Sequence, residues 1–401
     1  MLSADRSFTY DQQGCSIVFG SGCIEDIGPY LADQGLHRAL VICGSTVGAN
    51  EAVMAPLRAG LGDRIAGMFD GTTPEKRATE VFAAIAQQRQ VDADVLIGIG
   101  GGSSLDIARQ VSAFGADDRS LADLEREAHE SGEVENATET RSRTPVIVLP
   151  TTLAGADISN GGGMEVLSAA DSPTGQPVNT RGPQMPIADF VDPELIATTP
   201  MRVQTAAAVN GFNKGLETPY ARDATPIDDA TAAHGVRLFS SALRTFGRQQ
   251  QPDRAAFERA ALGAVLVQLG RKVSIIHAFG HGFARRYPVQ QGAVHAAVLP
   301  EVMGYVFSQM HANREVLALG LGIDSREKTD EQLADDIVET LTEIRDSLEV
   351  PQSLGSIPET SKADLPAIAA FIVGDPPMRN LPASFEPSEE AVLDVLHSAW
   401  D

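Results

Sequence analysis

Cysteine is scarce, with only Cys15, Cys23 and Cys43 in 401 residues. They are odd in number, lie together near the N-terminus and make no Cys-x-x-Cys pair, which argues against a secreted disulfide framework and a four-cysteine zinc site. Long apolar runs are missing as well. No stretch of about 18 apolar residues occurs, and residues 1–14 hold no basic segment followed by an apolar one. Neither export nor membrane spanning is expected, and the expected compartment is the reducing cytoplasm. Positive charge is in short supply: 31 basic side chains face 54 acidic ones, for a net charge of −23. Such a chain repels phosphate backbones and anionic lipid, so neither nucleic acid nor a membrane is an expected partner. Lysine is scarcest of all, at Lys76, Lys214, Lys272, Lys328 and Lys362 only. An acidic excess with arginine in place of lysine is expected of a halophilic protein, whose self-repulsion molar salt screens over about 3 Å.

What is present is globular. At 401 residues the chain exceeds the size at which one hydrophobic core keeps growing, which predicts two domains. Residues 38–43, RALVIC, form a short apolar run ending in glycine and serine, and helical spacing follows. The pattern repeats in RIAGMFDG and ATEVFAAIAQQ, then in DVLIGIGGGSS and LDIARQVSAF, and TPVIVLPTT adds a further buried strand. This alternation predicts an α/β fold, a doubly wound parallel sheet over residues 1–192. Residues 117–144 are polar and read as a surface helix and loop. From 193 to 401 the alanine- and leucine-rich segments predict an all-helical second domain, in which the charged segment 323–349 is an amphipathic helix.

The strand in DVLIGIGGGSSLDIAR runs straight into Gly100, Gly101, Gly102, Ser103 and Ser104, and a helix begins at once. Residues without side chains let a diphosphate approach the backbone amides, and the helix N-terminus adds unpaired N–H groups and partial positive charge. Asp106 in the first helical turn complements that dipole and is expected to hold the loop.

GGGSSLDIAR, PTTLAGAD at 150–157, DPEL at 192–195 and the spaced histidines of HAFGHGFARRYPVQQGAVHAAVLPEVM together resemble the iron-containing alcohol dehydrogenase family, which shares the fold of the dehydroquinate synthases. Within it the chain looks most similar to the maleylacetate reductase branch. The resemblance implies an N-terminal dinucleotide-binding domain, a C-terminal helical domain completing an active-site cleft, and a homo-oligomer, at least a dimer. It implies that Gly100, Gly101, Gly102 and Ser103 bind the cofactor diphosphate and that Thr151, Thr152 and Leu153 lie against the adenosine and nicotinamide portions. Family members restricted to NAD often carry an acid at the turn after the first buried strand, where it accepts from the ribose hydroxyl. Here that turn holds Gly44 and Ser45, so the expected cofactor is NAD or NADP.

Metal-holding members use an aspartate, a histidine four residues later and two further histidines fourteen residues apart, which gather a Lewis acid against the substrate carbonyl. The matching positions here are Asn210, Lys214, His277 and Gln291. A lysine ammonium cannot coordinate a cation and opposes one electrostatically, so no catalytic metal is expected. Lys214 is the expected replacement, hydrogen-bonding the substrate oxygen, with Glu217 a candidate partner. His277 is expected to contact substrate or Lys214, and His281, four residues on and on the same helical face, to relay a proton to solvent. Asn210, Gln291 and Arg285 are candidate substrate contacts, Arg285 as a carboxylate clamp. These residues imply an NAD(P)-dependent oxidoreductase that moves hydride between nicotinamide and a small carbonyl or alcohol, such as an oxo-acid of the maleylacetate kind. The alternative is a degenerate nucleotide-binding member of the family with a regulatory or non-redox role.

Overall fold

The computed structural model describes residues 8, 10, 14–248 and 252–401. Most of the N-terminal stretch read above therefore lies outside the described residues. The chain divides into two compact units, one built on residues 14–152 with Ala156–Thr199, the other on Leu153–Gly155 with Pro200–Asp401. This division falls a few residues beyond the expected boundary at 192/193, because Leu195 is still packed in the core of the first unit. It also assigns Leu153 to the helical unit, a correction to its expected membership in residues 1–192.

The first unit runs β1 (Ser16–Phe19), α1 (Ile27–Asp33), β2 (Ala39–Ile42), α2 (Ser45–Gly48), α3 (Glu51–Leu61), β3 (Ile65–Phe69), α4 (Ala78–Gln90), β4 (Val95–Gly100), α5 (Gly102–Gly115), α6 (Leu121–Ser131) and β5 (Val146–Pro150). It ends with β6 (Met164–Leu167), β7 (Val178–Thr180), β8 (Ala188–Val191) and α7 (Pro193–Ile196). Six strands form a parallel sheet in the order β1-β8-β5-β4-β2-β3, while β6 and β7 pair as an antiparallel hairpin. Continuous apolar runs produce this sheet because both of its faces are covered. Along β2, Ala39 and Val41 enter one core with Leu57 and Leu61 of α3, whereas Leu40 and Ile42 enter the other with Val81 of α4 and Val111 of α5. That is the period of two expected of a strand. The polar stretch 117–144 holds α6, opened by a capping box between Ser120 and Asp123.

Strand order reverses between β2 and β4, which are direct neighbours with Ile42 paired to Gly98. In open parallel sheets this reversal opens a crevice beyond the carboxyl ends of the strands. The turn at Gly44 and the glycines at 100–102 both lie there.

The helical unit comprises α8 (Met201–Glu217), α9 (Pro226–Arg248), α10 (Arg254–Leu269), α11 (Ile275–Ala284), α12 (Gln291–Gln309), α13 (Arg314–Leu321), α14 (Asp330–Asp346), α15 (Leu365–Gly374) and α16 (Glu389–Ser398). Its described residues contain no strand. The segment Leu153–Gly155 lies on α8, where a Cβ on Gly211 would sit 2.3 Å from the Leu153 carbonyl oxygen. Only glycine permits that approach. Among the described residues no helix is long and apolar enough to cross a membrane.

Candidate active site

In the sheet unit, Gly100 adopts φ +138, a conformation that side chains disfavour, and a Cβ there would also lie 3.1 Å from Ser104 Oγ. The next residue, Gly101, is the N-cap of α5 and has no side chain to cap it. The first amides of a 14-residue helix are thus turned toward a cradle of glycine backbone, the arrangement that binds a diphosphate. Thr151 N donates to Gly100 O at 2.9 Å, and Thr152 Cγ2 would lie 3.6 Å from a Cβ on Gly101, so the Thr151–Thr152 pair walls this cradle. Gly44 caps the short helix that starts at Ser45, and Thr72 Oγ1 hydrogen-bonds Ser104 Oγ at 2.7 Å beside it. The residues present fit a dinucleotide.

Asp106 faces inward, with Lys76 Nζ at 3.1 Å, Arg109 Nη1 at 3.1 Å and the Gly162 amide at 2.8 Å. Burial works to raise its pKa, but the two cations and the Gly162 amide together outweigh burial and hold the carboxyl below its ordinary range. Asp106 therefore ties the glycine helix to the loop at 160–162, and its carboxylate is occupied by protein donors.

In the helical unit, Asn210, Lys214 and Glu217 follow one another along one face of α8 at helical spacing. Lys214 is buried, and its Nζ donates to the Ala154 carbonyl and, at 3.3 Å, to Asn210 Oδ1. His277 Nε2 meets the same Asn210 oxygen at 3.0 Å. Glu217, read above as a candidate partner of Lys214, instead serves His277. One carboxylate oxygen accepts from Ile276 N at 2.7 Å, His277 N at 3.2 Å and Ser274 Oγ at 3.2 Å, while the other contacts His277 Nδ1. The carboxylate thereby satisfies the N-terminus of α11, whose N-cap Ser274 makes no side-chain cap. Burial pushes Glu217 up to about 7 against these hydrogen bonds. Burial also holds His277 well below its ordinary range, helped by the positive charge of Lys214.

His281 lies one turn on, half-buried, with Nδ1 2.7 Å from Asp375 Oδ2. Two residues were missed from the sequence. Asp375 arrives from a segment 94 positions away, and His295 packs its ring 4.7 Å from that of His277. His295 is fully buried against Gly280, where a Cβ would lie 2.2 Å from its Nε2. Gln291 opens α12 beside Gly292, which touches Ala206 of α8. Arg285 is exposed and stacks over the Phe371 ring at 5.1 Å, and Arg286 pairs with Asp364 at 2.6 Å. Both guanidinium groups are engaged by protein.

Residues 15–171 match the iron-containing alcohol dehydrogenase family, and residues 205–400 match the C-terminal domain of the same Fe-containing family. The chain belongs to this family. It is an oxidoreductase. The chain is 26% identical over 359 residues to long-chain-alcohol dehydrogenase 1 of Geobacillus thermodenitrificans, covering 86% of each. It is 26% identical to the maleylacetate reductase of Rhizobium sp. strain MTP-10005, covering 75% of this chain and 76% of that one. Among solved structures, a 1,3-propanediol oxidoreductase superimposes with a TM-score of 0.85 at 18% identity, covering 98% of this chain and all of that one.

The family's metal is a poor match for the donors present. At the four positions that the resemblance matches to the ligands stand an amide, an ammonium, one imidazole and a second amide. The amide oxygen of Asn210 is taken up by Lys214 and His277, and His277 Nδ1 by Glu217. Among the described residues no group of three or more histidine, cysteine or acidic side chains could hold a metal ion.

Proposed function

We propose that this enzyme transfers hydride, without a catalytic metal, between a nicotinamide dinucleotide and a small polar carbonyl compound or its alcohol, an oxo-acid of the maleylacetate kind being the most specific candidate. The observation that carries the reading is the convergence of Lys214 Nζ and His277 Nε2 on one oxygen, Asn210 Oδ1. A substrate oxygen brought within reach of the same two donors would be stabilised as negative charge develops on it. One cation at 4 Å contributes roughly 4 kcal/mol at an effective dielectric near 20, the scale on which a metal would otherwise be needed.

The residues divide the work. Gly100, Gly101, Gly102 and Ser103 would hold the diphosphate of NAD or NADP, with Gly44, Ser45, Thr151, Thr152 and Leu153 along the rest of the dinucleotide. The nicotinamide, when bound, supplies or receives the hydride. Lys214 hydrogen-bonds the reacting oxygen and gives it a proton. His277 is the second donor. His281, half-exposed and oriented by Asp375, relays a replacement proton in from solvent during reduction and carries the released proton out during oxidation. Asn210 and Gln291 border the substrate, and Arg285 is left out because its guanidinium stacks on the Phe371 ring. Family resemblance supports a homodimer working in the cytoplasm.

The test is turnover of NADH and NADPH with a panel of oxo-acids and aldehydes, before and after chelation, for the wild type and Lys214→Met. Chelator should leave the rate unchanged, and the variant should lose on the order of 10²–10³ in kcat. Turnover that requires added zinc or iron, or a fully active Lys214→Met of unchanged stability, would sink the reading.

A further inference from the structure

We propose that Glu217 is a positioning residue that keeps a proton on the Nδ1 side of His277 and so presents Nε2–H as the second donor beside Lys214. The inference rests on the reading of Lys214 and His277 as the groups that meet the substrate oxygen.

The hydrogen-bond partners impose it. An ammonium can only donate, so the Asn210 atom facing Lys214 Nζ is the amide oxygen. His277 Nε2 meets that same oxygen at 3.0 Å, and two acceptors would repel, so Nε2 carries a hydrogen. In a neutral ring this leaves a lone pair on Nδ1, which points at Glu217 Oε2. Two lone pairs would again repel, and a proton between them resolves the contact. The two carboxyl oxygens are already unequal. Oε1 accepts three donors from Ser274, Ile276 and His277, while Oε2 meets Nδ1 alone and is the one left to carry the proton. Burial acts in the same direction, since it pushes Glu217 up to about 7 and holds His277 well below 6.5. Glu217 thus anchors the first turn of α11 with one oxygen and sets the tautomer of that turn's imidazole with the other.

Full-length protein labelled with ¹⁵N-histidine tests this by NMR, the His277 signals being assigned by their loss in His277→Asn. The wild type should show Nε2–H, with Nδ1 strongly hydrogen-bonded. Glu217→Gln should keep that tautomer, because its oxygen can accept the helix amides while its NH₂ donates to Nδ1. Glu217→Met should release it, giving a mixture of tautomers. In kinetics, Glu217→Met should lower kcat at least about tenfold with KM changed less than about threefold, and glutamine should recover most of the loss. A wild-type ring protonated on Nδ1 alone would overturn the proposal, as would a single Nε2–H tautomer persisting in Glu217→Met. If the methionine variant does not fold, Glu217→Gln decides by itself, and loss of Nε2–H there refutes the proposal. Should the tautomers behave as expected while Lys214→Met turns over normally, the functional reading falls and the proton assignment stands.

Discussion

Lys214 Nζ and His277 Nε2 meet at a single atom, Asn210 Oδ1, at 3.3 and 3.0 Å. All three residues stand at positions that the family resemblance matches to metal ligands, and here they satisfy one another. Restoring the ligand chemistry should therefore undo the pairing. The triple variant Asn210→Asp, Lys214→His, Gln291→His is expected to take up zinc or iron at one ion per chain, with an affinity on the order of micromolar or tighter. The wild type should retain none after dialysis. Elemental analysis decides, and stoichiometric metal in the wild type would refute the metal-free reading.

Cofactor choice is expected to turn on Gly44. Its φ of −84 is open to any residue, and a Cβ there would lie 3.2 Å from Thr72 O, tight but within reach of a small adjustment. Gly44→Asp should add an acceptor for a ribose hydroxyl and a charge against a 2′-phosphate. NADPH binding is expected to weaken about tenfold or more relative to NADH, a difference of about 1.4 kcal/mol. Nicotinamide fluorescence titration reads both affinities. Equal losses for the two cofactors would mean that the Gly44 turn does not approach the adenine ribose.

The sheet was legible because its central strands, such as residues 38–43 and 95–100, are unbroken apolar runs that end in glycine. The strands that escaped notice are those in which this signal fails. β1 is four residues long and largely exposed, and β8 carries Asp189 in its middle. At the site, Asn210, Lys214, His277 and His281 were singled out through the family resemblance, because their spacing along a helix is by itself equally compatible with a packed core. Glu217 was noticed but given the wrong partner, since spacing of three pointed within α8 while the structure turns the side chain toward α11. His295 and Asp375 reach His277 and His281 through tertiary packing, which no local period encodes.

Asp106 makes a stability prediction with a defined sign. Arg109 is fully buried and Asp106 is its ion-pair partner, so Asp106→Asn leaves a buried cation short of its counter-charge. About 3 kcal/mol of stability should be lost at pH 7. Because the folded carboxyl titrates below its ordinary value of 3.8, its contribution is present above that value and disappears as pH falls through the folded one. Denaturant unfolding of wild type and variant should therefore differ at neutral pH and converge in strong acid. A gap that persists at low pH would assign the loss to packing instead.

Helix α14 localises the cost of the negative charge. Glu331, Asp335, Glu339 and Glu343 follow at intervals of four and are all exposed, so three successive like-charge pairs line one face. Each such pair destabilises a helix by roughly 0.2–0.5 kcal/mol, and salt screens it. Among the described residues, Glu343 alone of the four has an ion-pair partner, Arg244 at 3.4 Å. The double variant Asp335→Asn, Glu339→Gln removes all three repulsions while leaving that contact in place. It should gain about 1 kcal/mol in dilute buffer and almost nothing in molar potassium chloride. The wild type, at a net charge of −23, should itself gain stability steadily across the same salt range. Were the variant's advantage to persist at molar salt, the acidic face would be acting through helix propensity, and repulsion would not explain it.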